Sequence, residues 1–144
     1  MLSTYGHAEG YQTYTSGSGA HAEGTLTSAS GDYSHAEGGG ARALGQGSHA
    51  EGFYTTASGM YSHAEGFETN AGQVNAYGPT LTYAHAEGNR TVAWGQYSHA
   101  AGNYTIASGS GQNVLGDYNL HGNTTSLFVI GDGTSEGARS DLLR

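Results

Sequence analysis

Residues 48–61 read SHAEGFYTTASGMY, and residues 62–66, SHAEG, start the same phrase again. The tetrapeptide His-Ala-Glu-Gly decides how the chain is read, because it returns at a fixed interval. Its His falls at positions 7, 21, 35, 49 and 63, a spacing of 14, then resumes at 85 and returns 14 later at 99. A further 14 residues lead to Asn113, where NVLG stands in for HAEG. Half a period after each His comes a second small phrase: YTSG from Tyr14, SASG from Ser28, RALG from Arg42, TASG from Thr56, VAWG from Val92 and IASG from Ile106. The unit is two seven-residue halves, each closed by Gly, and a tandem array of such units is the signature of a solenoid.

A seven-residue half is not a coiled-coil heptad, which needs apolar a and d positions and does not carry a Gly in every turn. Within each half the residues alternate. Ser34, Ala36 and Gly38 are expected to point one way and His35 and Glu37 the other; Thr55, Ala57 and Gly59 alternate in the same manner with Thr56 and Ser58. Two short strands and two tight Gly turns make one coil, and coils stacked at about 4.8 Å make eight levels roughly 40 Å long. Only Ala, Ser, Thr and Gly fit between two strands so close together. A coil that buries a few methyl-sized groups gains little to set against the ordering of its backbone. Its outward faces are therefore expected to be covered as well, most simply by copies of the same chain.

Composition agrees. The 144 residues include 26 Gly, 11 Tyr, three Phe, two Met, one Trp and no Cys, too little for a conventional Leu/Ile/Val core. Four Arg, no Lys and 12 acidic residues leave a formal charge of −8, which disfavours nucleic acid and anionic membrane surfaces as partners. No apolar run approaches the roughly 18 residues of a membrane span, and MLSTYGHAEG enters the repeat without a leader pattern.

The repetition of S-H-A-E-G and T-x-A-S-G at this spacing resembles the head repeats of trimeric autotransporter adhesins of the YadA type. Residues 48–66 are similar to the variant found in tail-fibre and appendage proteins of phages. Adhesin heads usually carry Val and Ile where this chain has His and Glu, so the phage version is the closer one. The resemblance implies an all-β fold, a left-handed parallel β-roll of 14-residue coils, three of which pack about a three-fold axis as a homotrimer. It also implies a role in a virion fibre or, alternatively, in the head of a bacterial surface adhesin. In such proteins a segment similar to LFVIGDGTSEGARSDLLR, residues 127–144, leads into a C-terminal chaperone domain. The chain is accordingly expected to be part of a longer one.

A repeated His-x-Glu has three readings. The preferred one makes His7, Glu9, His21, Glu23, His35, Glu37, His49, Glu51, His63, Glu65, His85, Glu87 and His99 a hydrogen-bonded, charge-balanced ladder along the trimer interface. In that ladder a His beside a Glu is expected to have a raised pKa. A metal reading would have three His converge on the axis; no ligand spacing singles out one level, so no metal and no cofactor is expected. A catalytic reading is weaker still, since nothing makes one Glu of the series special. A polysaccharide depolymerase would need a carboxylate pair outside the repeat, and Asp32, Glu68, Asp117 and Asp132 are scattered. An ice-binding array would present Thr outward, whereas these Thr share parity with the inward Ala. The chain is read as non-enzymatic.

Variation elsewhere is where binding could lie. Candidate contacts to a host cell-surface glycan or to other fibre components are Phe53, Tyr54, Tyr77, Tyr83 and Trp94, because aromatics on a rigid rod suit sugar rings. Tyr at 5, 33, 61, 83 and 97, each two before a His, is regular enough to be a turn or interface residue. Between His63 and His85 the interval is 22, and NAGQVNAYGPTLTYA, residues 70–84, is read as an insertion loop. The organisation expected is a repeat array over 1–120 and a C-terminal cap leading to a neck over 121–144. In that cap SLFVIG is a strand, His121 a capping residue, and Ser140 or Asp141 a helix start.

Overall fold

The computed structural model describes residues 4–75, 78–79 and 82–143. It is an all-β parallel solenoid. His7–Tyr11, His21–Thr25, His35–Gly39, His49–Phe53, His63–Phe67, His85–Asn89, His99–Asn103, Asn113–Asp117 and Phe128–Asp132 form one parallel sheet of five-residue strands. Tyr14–Thr15, Ser28–Ala29, Arg42–Ala43, Thr56–Ala57, Asn70–Ala71, Val92–Ala93 and Ile106–Ala107 form the facing sheet of two-residue strands. Register is residue for residue: His49 pairs with His63 and Phe53 with Phe67. NVLG takes the place of HAEG, Asn113 pairing with His99. The roll has nine parallel levels where the repeats alone suggested eight, because Phe128–Asp132 stacks on Asn113–Asp117 as one more.

The core is a column of methyls. Ala36, Ala50, Ala64, Ala86 and Ala100 on the long strands face Ala29, Ala43, Ala57, Ala71, Ala93 and Ala107 on the short ones, all fully buried. Thr27, Thr55, Thr69, Thr91 and Thr105 lie inward too, as their parity with Ala requires. Ser34, Ser48 and Ser62, each before a His, close the corner that leads into the strand: Ser48 Oγ donates to the Gly45 carbonyl at 2.7 Å.

Two expectations about glycine are corrected. Gly38 does not continue the inward alternation; it is exposed, with φ +106°. Its equivalent Gly52, at φ +108°, passes so close to the next level that a Cβ would stand 2.2 Å from the Gly66 carbonyl oxygen. The Gly of the second phrase serves a different need: at Gly45 a Cβ would meet the Gly59 carbonyl oxygen at 2.0 Å. Nor are the corners built chiefly from Gly. Tyr33, Tyr61, Tyr83 and Tyr97 take the left-handed position at one corner, and Leu26, Tyr54, Glu68, Arg90, Tyr104 and Tyr118 at the other, with φ between 38° and 59°. A left-handed non-Gly residue costs roughly 1–2 kcal/mol. Here each gains a backbone hydrogen bond in return, and several a stacked neighbour as well. Tyr61 N–H donates to the Gln46 carbonyl at 2.8 Å, and Tyr83 stacks between Tyr61 and Tyr97 at 5.5 and 5.1 Å.

The insertion leaves this frame undisturbed, since His63–Phe67 pairs directly with His85–Asn89. Within it, Val74–Asn75 and Gly78–Pro79 form an antiparallel pair; Tyr77 lies outside the described residues. At the other end the expected helix is absent: Asp141–Leu143 is a strand, antiparallel to Phe128–Asp132 across a register shift between Ile130 and Gly131. A closing antiparallel strand occupies the last parallel edge, which a helix start would have left open. Among the described residues no helix is long and apolar enough to cross a membrane.

Candidate functional site: the histidine and glutamate columns

The outer face of the long-strand sheet carries two parallel columns, two residues apart along each strand and therefore on the same face, with one His and one Glu per level. His7, His21, His35, His49, His63, His85 and His99 stack ring on ring, with centroids 4.8–5.0 Å apart and planes within 20° of parallel. The sheet spacing sets this distance, and identical residues in register leave the rings no other arrangement. Beside them run Glu9, Glu23, Glu37, Glu51, Glu65 and Glu87 above a floor of glycine backbone. Ala101 replaces Glu at the next level and ends the column.

The ladder is a set of close His–Glu approaches rather than the hydrogen-bonded one expected. His35 Nε2 lies 3.8 Å from Glu37 Oε2, and His85 Nε2 3.7 Å from Glu65 Oε1. Glu51 stands between two rings, with Oε2 3.8 Å from His49 Nε2 and Oε1 3.9 Å from His63 Nε2. These gaps exceed hydrogen-bond length. Only His99 closes one, to Glu87 Oε1 at 3.2 Å. Although the rings are about one-third exposed, Nε2 of His21, His35, His49, His63 and His85 is shielded from solvent and has no hydrogen-bond partner among the described residues.

The expected rise in histidine pKa is also corrected. His35, His63 and His85 lie below the usual imidazole value, first because burial penalises the charged ring and then because neighbouring rings in the stack would repel it. The adjacent carboxylates oppose the shift without reversing it. At these three levels the charged form of the ring is disfavoured even beside the carboxylates. Along the column face three separate groups, Glu23/His35/Glu37, His49/Glu51/His63 and Glu65/His85/Glu87, each bring their candidate ligand atoms within 4.8 Å of one another.

The candidate aromatic contacts are not brought together. Phe53 and Tyr54 share one corner, their rings 4.4 Å apart edge to face. Tyr83 sits on the opposite corner inside its tyrosine stack. Trp94 is on the short-strand face, lining an apolar recess with Ile106, Ser108, His121, Gly122 and Thr124. His121 thus borders this recess. Asp32, Glu68 and Asp132 have local partners: the Ser18 amide at 2.8 Å, Arg90 at 2.6 Å and the Ser140 hydroxyl at 2.5 Å, respectively. Asp117 pairs in register with Asp132 at the sheet edge.

Three structural residues escaped the sequence reading. Asn119 Oδ1 accepts from Ile106 N–H at 2.7 Å and its Nδ2 donates to Ile106 O at 3.0 Å, so one side chain replaces the strand missing beyond the last short one. Gln112 accepts from the Ser108 and Gly109 amides and donates to the Asn123 and Ser126 carbonyls. Arg139 donates to the Tyr104 and Asn119 carbonyls and lies 5.6 Å from the Tyr118 ring. A signal existed for the first two. Asn119 is 14 residues after Thr105 and Gln112 is 14 after Ser98, larger amides standing where the array otherwise places small hydroxyls.

Fold and columns together define a parallel β-solenoid scaffold of 14-residue coils. The chain matches no protein-family model and no curated protein.

Proposed function

We propose that this chain is a non-enzymatic structural and host-attachment segment of a phage tail fibre or appendage. It would work as a homotrimer in which the histidine and glutamate columns face neighbouring chains. The observation that carries this reading is the contrast between faces. The column face repeats one pair of side chains level after level and leaves imidazole nitrogens shielded but unpartnered, whereas the short-strand face changes from Tyr14 to Arg42 to Val92 and Ile106. A face that must meet itself benefits from repetition, and a face that meets a receptor need not repeat. The resemblance to phage SHAEG repeats favours a virion over a bacterial surface. The Phe53–Tyr54 pair, Tyr83 and Trp94 lie at three separate places, so a host glycan would be held at more than one point along the rod rather than in a single aromatic pocket.

Light scattering on the chain between pH 5 and 8 tests the assembly. A mass three times that of the chain is expected; a folded monomer would overturn the interface and with it this reading of the columns.

A further inference from the structure

We infer that the column face is a row of inter-coil binding sites for a divalent first-row transition cation, Zn²⁺ being the probe of choice. The sites lie within one chain, so the inference stands whether or not a trimer forms.

The geometry begins with the orphaned nitrogens. His49 and His63 are held parallel, their planes 0° apart and centroids 4.8 Å apart, and neither Nε2 has a hydrogen-bond partner among the described residues. The Glu51 carboxylate is between them, one oxygen towards each, at 3.8 and 3.9 Å. A shielded polar atom without a partner is costly, and so is a close-set column of like carboxyl groups. A cation answers both. With bonds of about 2.0–2.1 Å in tetrahedral array, ligand atoms sit roughly 3.3 Å apart, so each His–Glu gap needs to close by about half an ångström, while rings stacked at 4.8 Å need to bring their Nε2 atoms closer by roughly 1.5 Å if both are to bind one ion. The Glu51 side chain, about one-third exposed, has the torsional freedom to close its gaps; one ring with Glu51 makes a two-ligand site, and recruiting the second ring requires the two rings to turn towards each other.

Three such groups occur without sharing a residue: Glu23/His35/Glu37, His49/Glu51/His63 and Glu65/His85/Glu87. Donor chemistry selects the ion. Neutral imidazole with carboxylate suits Zn²⁺ and its neighbours, whereas Ca²⁺ and Mg²⁺ prefer sets made of oxygen alone. Each site supplies two or three protein ligands and leaves the remaining positions to water or to a group brought by another molecule.

The test uses the full chain freed of metal with a chelator. Titration calorimetry and elemental analysis after gel filtration are expected to show up to three Zn²⁺ per chain, with a raised melting temperature, and no comparable response to Mg²⁺. Glu51→Gln, and separately His63→Gln, should each remove one equivalent while far-UV circular dichroism stays unchanged. Glu9→Gln, outside all three groups, should remove none. Retention of no Zn²⁺ would overturn the inference. So would equal retention by wild type and both site variants, which would mean independent surface imidazoles, or an equal loss in Glu9→Gln, which would mean diffuse attraction to negative charge.

Discussion

His85 lies on His63 with ring centroids 4.8 Å apart and planes parallel, although 22 residues separate them where every other neighbouring pair is separated by 14. The eight extra residues leave the stack and return to it without changing the rise, the register or the tyrosine column, in which Tyr83 still lies on Tyr61.

Excising the insertion should therefore be tolerated. Replacing residues 73–81 with one Gly restores the 14-residue interval and supplies the residue that the close approach to the next level demands. The melting temperature is expected to hold or rise slightly, because a shorter connection costs less to close. Thermal melts of the two chains side by side decide it; a fall of ten degrees would mean that the insertion braces the roll.

Two glycines with different surroundings give a clean contrast. Gly52→Ala combines φ +108° with a Cβ 2.2 Å from a backbone oxygen, whereas at Gly137 a Cβ meets nothing within 4 Å. Urea denaturation should show a loss of about 2 kcal/mol or more for the first and a change within about 0.5 kcal/mol for the second.

The histidine column predicts sensitivity to acid. His35, His63 and His85 have folded-state pKa values below the unfolded 6.5, so the unfolded chain takes up protons first as pH falls. Their contribution is at full strength above pH 6.5 and declines as pH drops below it. For the metal-free chain the melting temperature at pH 5.5 is expected to lie below that at pH 7.5. A higher value in acid would restore the raised-pKa account that the sequence alone suggested.

At the C-terminal end, Asn119→Ala should cost about 1–3 kcal/mol, since it leaves the Ile106 amide and carbonyl without the side chain that satisfies them. Amide exchange localises the effect: Ile106 should lose protection well before Thr56, which lies mid-array.

Much of the fold was legible because the repeat states it many times. Ala36, Thr55 and Ala57 could be placed inside by parity and small size, although the last levels also bury Val114, Val129, Gln112 and Asn119. The corners were not legible, because Tyr at a left-handed position looks wrong in any single turn. It becomes acceptable once the preceding level accepts its N–H, with a stacked ring added where a neighbouring level also carries Tyr, as at Tyr61, Tyr83 and Tyr97.

The 14-residue period, the parallel stacking, the small core and the presence of a His and a Glu on one face were determined by the sequence itself. The tertiary structure decided how those two residues meet. Sheet spacing holds the rings 4.8 Å apart and places carboxylates between levels, just beyond hydrogen-bond reach. That offset leaves shielded nitrogens without a hydrogen-bond partner among the described residues, while burial and the neighbouring rings of the stack lower the pKa of His35, His63 and His85 instead of raising it. Local sequence cannot show the offset, because it arises from the height difference between successive coils, a distance that exists only once the coils have stacked.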